Sequence, residues 1–81
     1  MEKTHILVVD DDQRLRDLLA RYLTENDYRV TAVASAKEAE EHLGLIQFDL
    51  MILDVMMPEE SGLDFAQRLL EAGSQLPILL L

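Results

Sequence analysis

Carboxylates follow two short apolar runs of the sequence at the points where each run stops. The run HILVV at 5–9 leads into the triplet DDD at 10–12, and the run LMIL at 50–53 leads into Asp54. An acid that closes an apolar run must be solvated, paired or coordinated, because an unpaired buried charge is costly. If these acids meet in space they raise each other's pKa, and a divalent cation relieves that conflict. Such an all-oxygen donor set suits Mg²⁺, which leaves positions open for phosphate oxygens.

The segments around these acids predict strands that alternate with helices. Short β-branched and apolar runs predict four strands, at 5–9, 28–33, 49–54 and 76–81. Apolar residues at spacings of three and four predict three helices, the first between the triplet and the END turn, the second from 35 to about 43 and the third from 61 to about 72. The sequence therefore predicts a regular βα alternation without a linker or repeat.

Local signals define the ends and the inner faces of these helices. Asp11 or Asp12 is expected to cap the first helix, and Ser35 with Glu38 forms a capping box for the second. Glycines are predicted to end the second and third helices, at Gly44 and Gly73. The residues predicted to face the sheet are Leu15, Leu18, Leu19, Tyr22 and Leu23 in the first helix, and Leu63, Ala66, Leu69 and Leu70 in the third.

This alternation predicts the fold class and brings the acids together. Right-handed crossovers between successive strands produce a parallel sheet that helices cover on both faces. We expect an α/β, flavodoxin-like sheet with strand order 2-1-3-4, in which the first and third strands are neighbours. Ligands of such sheets bind beyond the carboxyl ends of the strands where the order reverses, and there Asp10 and Asp11 would meet Asp54.

Composition limits the kinds of partner. The 81 residues suit one small domain, and 16 acidic against 7 basic residues give a net charge of −9, which disfavours binding to nucleic acid or to anionic membranes. The absence of cysteine excludes disulfides and thiolate chemistry. No apolar run approaches the roughly 20 residues of a membrane span and no signal peptide is evident, so we predict a cytoplasmic location.

The acids alone leave other interpretations open. The triplet could serve only to cap the first helix. Asp10 and Asp12 also fit the D-x-D pattern of haloacid-dehalogenase-like phosphatases, in which Asp10 would be the nucleophile, although Arg14 does not fit that pattern. A third interpretation is an interaction module that is never phosphorylated. The two histidines, at positions 5 and 42, are predicted to be solvated rather than to bind metal.

Taken together, these motifs resemble the receiver domain of two-component response regulators. The resemblance is carried by ILVVDDD at 6–12, by LMILDVMMP at 50–58 with Gly62 after it, and by LP followed by an apolar strand at 76–81. The phrase RLRDLLARYLTENDYRV is most similar to receivers that precede a winged-helix DNA-binding domain, the OmpR-like group. The resemblance covers the chain in the expected order.

The resemblance implies a role for each matching residue. Asp54 would accept a phosphoryl group from a phosphohistidine of a sensor histidine kinase, while Asp10 and Asp11 hold Mg²⁺. The backbone carbonyl of Met56 would be a further metal ligand. The loop after the third strand would be shaped by Pro58 and Gly62. The domain would act in phosphorelay signalling and regulate transcription rather than work as an enzyme.

The resemblance also implies that residues 1–81 correspond to the N-terminal two-thirds of one receiver domain. The family's fifth strand with its lysine, its last two helices and the hydroxyl residue after the fourth strand have no counterpart in this sequence, so we expect poor phosphorylation of this segment alone. DNA binding would need a further C-terminal domain. An exposed fourth strand could support dimerisation or strand exchange.

Overall fold

Seven elements alternate along residues 2–81, the part of the chain that the computed structural model describes. They are β1 (His5–Val9), α1 (Gln13–Glu25), β2 (Arg29–Val33), α2 (Ala36–Leu43), β3 (Leu50–Leu53), α3 (Gly62–Glu71) and β4 (Ile78–Leu80). All three strand pairings are parallel, and the order is β2-β1-β3-β4. The predicted α/β, flavodoxin-like fold with strand order 2-1-3-4 is confirmed.

The first strand has its predicted bounds, and the other three are shorter at their ends than the sequence predicted. β4 begins at Ile78 because Pro77 has no N–H to donate, although its carbonyl still accepts a hydrogen bond from Met51 at 3.0 Å. β3 ends at Leu53, but the amide of Asp54 continues the pairing with β1 through the carbonyl of Val9 at 2.9 Å. The sheet therefore fixes the backbone of Asp54 although that residue lies outside the strand.

Helix ends follow the predicted caps with two differences. The Asp12 carboxylate caps α1 by accepting the amides of Arg14 at 2.9 Å and Leu15 at 3.3 Å. Gly73 has φ 90°, the left-handed conformation that ends α3 at low cost. Gly44 ends α2 as predicted, but in the right-handed conformation with φ −76°. After α1 the left-handed residue is Asp27, with φ 71°.

Successive side chains of β1 and β3 point to opposite faces of the sheet, so the core is divided into two clusters, one on each face. On the face under α2 and α3, Leu7, Met51 and Leu53 are fully buried with Phe65. On the opposite face, α1 covers a smaller cluster that consists of Ile6, Val8, Leu23 and Ile52. Each strand thus contributes to both layers, which explains its continuous apolar sequence.

Two predicted helix faces are wrong in detail. In α1 only Leu23 is buried, while Leu18 and Tyr22 are 60% and 62% exposed. The helix lies over β1 and β2, and that contact is narrower than the apolar stripe of the helix. In α3 the buried residues are Gly62, at its start, and Phe65, whereas Leu63 and Leu70 are exposed. Apolar residues form two stripes along α3, and the sheet contacts the stripe that contains Phe65.

Candidate functional site

Asp10 lies at the carboxyl end of β1 and is almost inaccessible. Its amide donates to the carbonyl of Val33 at 3.1 Å, and its own carbonyl accepts a hydrogen bond from the Arg16 guanidinium at 2.8 Å. The residue is 1% exposed, and its Oδ1 accepts the amide of Asp12 at 2.9 Å. Its Oδ2 is buried without a hydrogen-bond partner among the described residues. Buried carboxylate oxygens are ordinarily hydrogen-bonded or coordinated, so this atom marks a ligand position.

Asp54 lies beside it at the carboxyl end of β3. Its backbone is fixed by the hydrogen bond to Val9, and its Oδ1 accepts the amide of Met56 at 3.1 Å. The residue is half-buried, so its carboxylate is oriented by the loop and still reachable from solvent. This combination suits a group that must react with an incoming molecule.

Three carboxylates converge at this edge of the sheet. Asp10, Asp11 and Asp54 each offer one oxygen, and these atoms lie within 4.8 Å of one another. Burial raises the pKa of Asp10, and the carboxylates of Asp54 and Asp11 raise it further, against a hydrogen bond from the Asp12 amide. At neutral pH the cluster therefore holds repelling charges that a cation would neutralise. The donor set is all oxygen, and Asp10 Oδ2 has no hydrogen-bond partner in the described part of the chain, which fits a divalent metal.

The loop between β3 and α3 closes over Asp54. The amide of Gly62 donates to the carbonyl of Val55 at 2.9 Å, and the amide of Glu60 donates to Pro58 at 2.8 Å. Gly62 packs directly on the backbone of Asp54: an added Cβ would overlap its carbonyl oxygen and lie 3.0 Å from Val55 Cα. Only glycine allows this approach, so the loop and α3 begin against the acid itself.

Asp12 does not belong to the cluster. Its carboxylate is engaged as the N-cap of α1, and the converging group consists of the other two members of the triplet with Asp54. A D-x-D nucleophile pair would need Asp10 and Asp12 to face one site. The phosphatase interpretation is therefore not favoured by the geometry.

The prediction for His5 is wrong. His5 is 7% exposed, its Nε2 lies 2.8 Å from Thr31 Oγ1, and its ring centroid lies 4.5 Å from that of Phe48. It is at the opposite end of β1 from Asp10 and takes no part in the acidic cluster. His42 is only partly exposed on α2 and its Nδ1 donates to the carbonyl of Glu38 at 2.8 Å.

Two arginines next to the site were missed by the sequence reasoning. Arg16 contacts the carbonyl of Asp10, and Arg68 forms ion pairs with Glu60 in the β3–α3 loop and with Glu40 in α2. Glu60 precedes the helix that carries Arg68, so no helical spacing signals their contact. The sequence offered no pattern from which either role could have been read.

Within residues 2–81, no helix is long and apolar enough to cross a membrane.

Comparison with curated proteins places the chain among two-component signalling proteins. Its residues 6–81 match the family described as response regulator receiver domain. Protein PetR from Rhodobacter capsulatus is 47% identical over 77 residues, which are 95% of this chain and 32% of PetR. Response regulator MprA from Mycobacterium ulcerans is 43% identical over 76 residues, 94% of this chain and 33% of MprA. The chain thus spans about a third of the length of these relatives.

Solved structures give the same result. A response regulator receiver protein from Pseudomonas putida superposes with a TM-score of 0.92 at 31% identity, covering 100% of this chain and 69% of that one. Response regulator TrrA from Thermotoga maritima, solved in complex with Mg²⁺-BeF, superposes with a TM-score of 0.88 at 35% identity, covering 95% and 67%. In fold and in sequence, the chain belongs to the response regulator receiver domain family.

Proposed function

We propose that Asp54 accepts a phosphoryl group from the phosphohistidine of a sensor histidine kinase, in a site where Asp10 and Asp11 hold Mg²⁺. The backbone carbonyl of Met56 is assigned as a further ligand. The observation that carries this proposal is the convergence of three carboxylates around a buried Asp10 oxygen that has no hydrogen-bond partner among the described residues. Receiver domains are signalling modules rather than classical enzymes, and residues 1–81 are proposed to form one unit that corresponds to the first two-thirds of a receiver.

The geometry favours Asp54 over Asp10 as the nucleophile. Asp10 is 1% exposed, so its carboxylate is poorly placed to meet an incoming phosphoryl group. The Asp54 carboxylate is half-exposed and oriented by the Met56 amide. A carboxylate oxygen attacks phosphorus as the bond from phosphorus to the kinase imidazole breaks, and an acyl phosphate results. Such a transfer needs positioning and charge stabilisation more than proton transfer.

A metal in this site would supply neutralisation of charge on the phosphoryl oxygens. The residues of the chain do the rest: Asp10 and Asp11 provide carboxylate oxygens, and the loop that begins at Met56 keeps Asp54 in place. TrrA, the relative solved with Mg²⁺-BeF, supports the choice of Mg²⁺ for this chain. The oxygen-only donor set supports the same choice on chemical grounds.

The output is proposed to be transcription, through a winged-helix DNA-binding domain of the OmpR-like group that lies outside residues 1–81. The name response regulator in a relative that is three times longer supports an attached output function. The net charge of −9 makes direct DNA contact by this segment unfavourable. A cytoplasmic location is part of the same proposal, because the kinase and the DNA would both be met there.

The test is to locate covalent phosphate on the full-length protein. With phosphoramidate and Mg²⁺, we expect an acid-labile, hydroxylamine-sensitive phosphate that mass spectrometry after borohydride reduction places on Asp54. Asp54→Ala removes it, whereas Asp64→Ala, which replaces an exposed acid in α3, leaves its rate within about twofold.

Other outcomes would identify the rejected interpretations. Phosphate on Asp10, with turnover of phosphomonoesters, would indicate a phosphatase. A protein that binds no Mg²⁺ and takes up no phosphate would be an interaction module.

A further inference from the structure

The β3–α3 loop, residues 55–61, is attached to the helices by one charged contact. Arg68 donates from Nε to Glu60 Oε2 and from Nη2 to Glu60 Oε1, both at 2.8 Å, which is a paired, fork-like geometry. The same guanidinium donates to the two carboxylate oxygens of Glu40 in α2, at 3.0 and 3.3 Å. Within residues 2–81 the loop makes no other ion pair.

The geometry of Arg68 is more constrained than that of an ordinary surface ion pair. Its guanidinium carbon lies 5.3 Å from the centre of the Phe65 ring, which is fully buried in the core. The arginine therefore has a rigid support on one side and two carboxylates on the other. Hydrogen bonding to Arg68 lowers the pKa of Glu60, so the pair is charged throughout the physiological pH range.

The loop that Glu60 belongs to carries the groups of the proposed site. Its first residues follow Asp54 directly, and the Met56 amide is hydrogen-bonded to the Asp54 carboxylate. Its far end is closed by the bond between Gly62 and Val55. Between these two points Glu59 has φ 71°, an unfavourable conformation for a residue other than glycine. The ion pair between the neighbouring Glu60 and Arg68 offsets that cost and fixes the loop.

We propose that Arg68 is a positioning residue that holds the β3–α3 loop, through Glu60, in the conformation that binds the metal. This inference rests on the proposed function, because it assigns to Arg68 an effect on the Mg²⁺ site. Among the described residues, Arg68 hydrogen-bonds to Glu60 and Glu40 and to none of the three clustered carboxylates. Its contribution is to keep the Met56 segment and Asp54 ordered before a ligand arrives.

Measuring Mg²⁺ affinity separates the two possible effects of Arg68, its charge and its positioning of the loop, because removing them changes that affinity in opposite directions. Removing a positive charge near an acidic site strengthens cation binding if only electrostatics matter. Loss of loop positioning weakens it. We expect Arg68→Met to lower Mg²⁺ affinity at least about threefold, which is milder than the 10–100-fold typical of groups that hydrogen-bond a metal ligand directly. Arg21→Met, which removes an exposed charge from α1, serves as the matched control and leaves affinity within about twofold.

Two further variants identify the path of the effect. Glu60→Gln should also weaken Mg²⁺ binding, and adding it to Arg68→Met should produce little further loss, because both changes break the same contact. Glu40→Gln leaves Glu60 paired and should leave affinity nearly unchanged. Arg68→Lys, which keeps the charge but cannot form the fork, should restore only part of the affinity.

Amide hydrogen exchange without metal gives a second readout that does not depend on activity. In Arg68→Met we expect faster exchange at Met56 and Gly62 with unchanged protection at Leu7 and Met51 in the sheet. Equal loss of protection at all four amides would mean that Arg68 only stabilises the fold, and would overturn the inference. Mg²⁺ affinity equal to or higher than wild type, with unchanged loop exchange, would overturn it as well.

Failure of the proposed function has a different signature. If the wild-type protein binds no Mg²⁺, the metal assignment is wrong, and the inference that Arg68 serves that site falls with it. If the wild-type protein binds Mg²⁺ and Arg68→Met binds it equally well, only the role of Arg68 is wrong.

Discussion

Asp10 occupies a position where burial and charge work against each other. The side chain is inaccessible, one of its oxygens has no hydrogen-bond partner within residues 2–81, and two other carboxylates lie within reach of a shared ion. Because its folded-state pKa is raised, the folded protein binds the Asp10 proton more tightly than the unfolded chain does. The stability associated with this group is therefore full below the unfolded pKa of about 3.8 and is lost as pH rises through the folded pKa.

We predict that Asp10→Asn stabilises the metal-free protein at pH 7. Removal of the buried charge should raise the free energy of unfolding by about 1 to 2 kcal/mol, and the gain should shrink as pH falls toward 4. Chemical denaturation at several pH values measures it. Asp17→Asn, on the exposed side of α1, should change stability by less than about 0.5 kcal/mol.

Added Mg²⁺ should make the wild-type protein more stable than Asp10→Asn. Wild-type protein should gain about 2.7 kcal/mol at a metal concentration 100 times the dissociation constant, and the Asn variant should gain much less. A variant less stable than wild type without metal would contradict our account of Asp10.

His5 makes the stability of the protein depend on pH in the opposite direction to Asp10. Burial lowers its pKa, Arg29 lowers it further, and Asp49 acts in the other direction. Because the unfolded chain holds this proton more tightly, the stability from His5 is full above the unfolded pKa of 6.5 and declines as pH falls below that value.

We predict that protonation of His5 in the unfolded chain lowers the unfolding free energy between pH 7 and pH 5, and that His5→Gln removes this contribution from the pH slope. Thermal or denaturant unfolding across that range measures the slope. His42→Gln is the matched control, since it replaces the other histidine, on α2, and should keep the wild-type slope. An unchanged slope in His5→Gln would show that protonation elsewhere causes the loss.

At the scale of elements, the junction between β3 and α3 is the most tightly constrained connection of the fold. Gly62 begins α3 in contact with the backbone of Asp54, and its amide closes the loop onto Val55. The Ser61 hydroxyl caps the helix by accepting the amide of Asp64 at 3.2 Å. The first residue of α3 thus contacts the backbone of Asp54, and this contact keeps the loop short and the Asp54 carboxylate oriented.

We predict that Gly62→Ala destabilises the protein by about 3 kcal/mol, at the upper end of the usual cost of overpacking. The added methyl would overlap the Asp54 carbonyl, so helix and loop must separate and Mg²⁺ affinity should fall too. Gly44→Ala is the matched control: its nearest neighbour would be 3.5 Å away and its φ of −76° suits alanine. That variant should be neutral or more stable by up to about 1 kcal/mol. Equal effects of the two substitutions would contradict the role given to Gly62.

At the scale of the whole molecule, one edge strand of the sheet carries exposed apolar side chains. β4 pairs only with β3 among the described strands, and its last residues are partly open: Leu79 is 52% exposed. On the same side of the sheet α1 covers β1 and β2 but not β4. A strand edge with exposed leucines favours pairing with another chain.

We predict that the 81-residue chain self-associates through β4. Sedimentation should show a dimer whose population grows with concentration, and Leu79→Lys should weaken it at least about tenfold by placing a charge at the edge. Leu45→Lys, at an exposed loop position between α2 and β3, should have no such effect. A monomer at all concentrations, or equal weakening by both variants, would exclude this edge as the contact.

The sequence by itself determined the order of the elements, the parallel sheet and the meeting of Asp10, Asp11 and Asp54. These follow from local signals: runs of β-branched residues, helical spacing, caps, and the rule that parallel strands bring their carboxyl ends to one edge. Each signal lies within a few residues, so a single sequence carries it.

Tertiary structure alone decided which parts of those elements are buried and which groups support the acids. The burial of Phe65 rather than Leu63 depends on where the sheet meets α3, and the burial of His5 depends on Phe48 and on β2 beside it. The ion pair of Arg68 with Glu60 joins a helix to the loop before it, eight residues away, and Asp10 forms its site with Asp54 from another strand. Such contacts have no local period, because they are set by the packing of elements against one another.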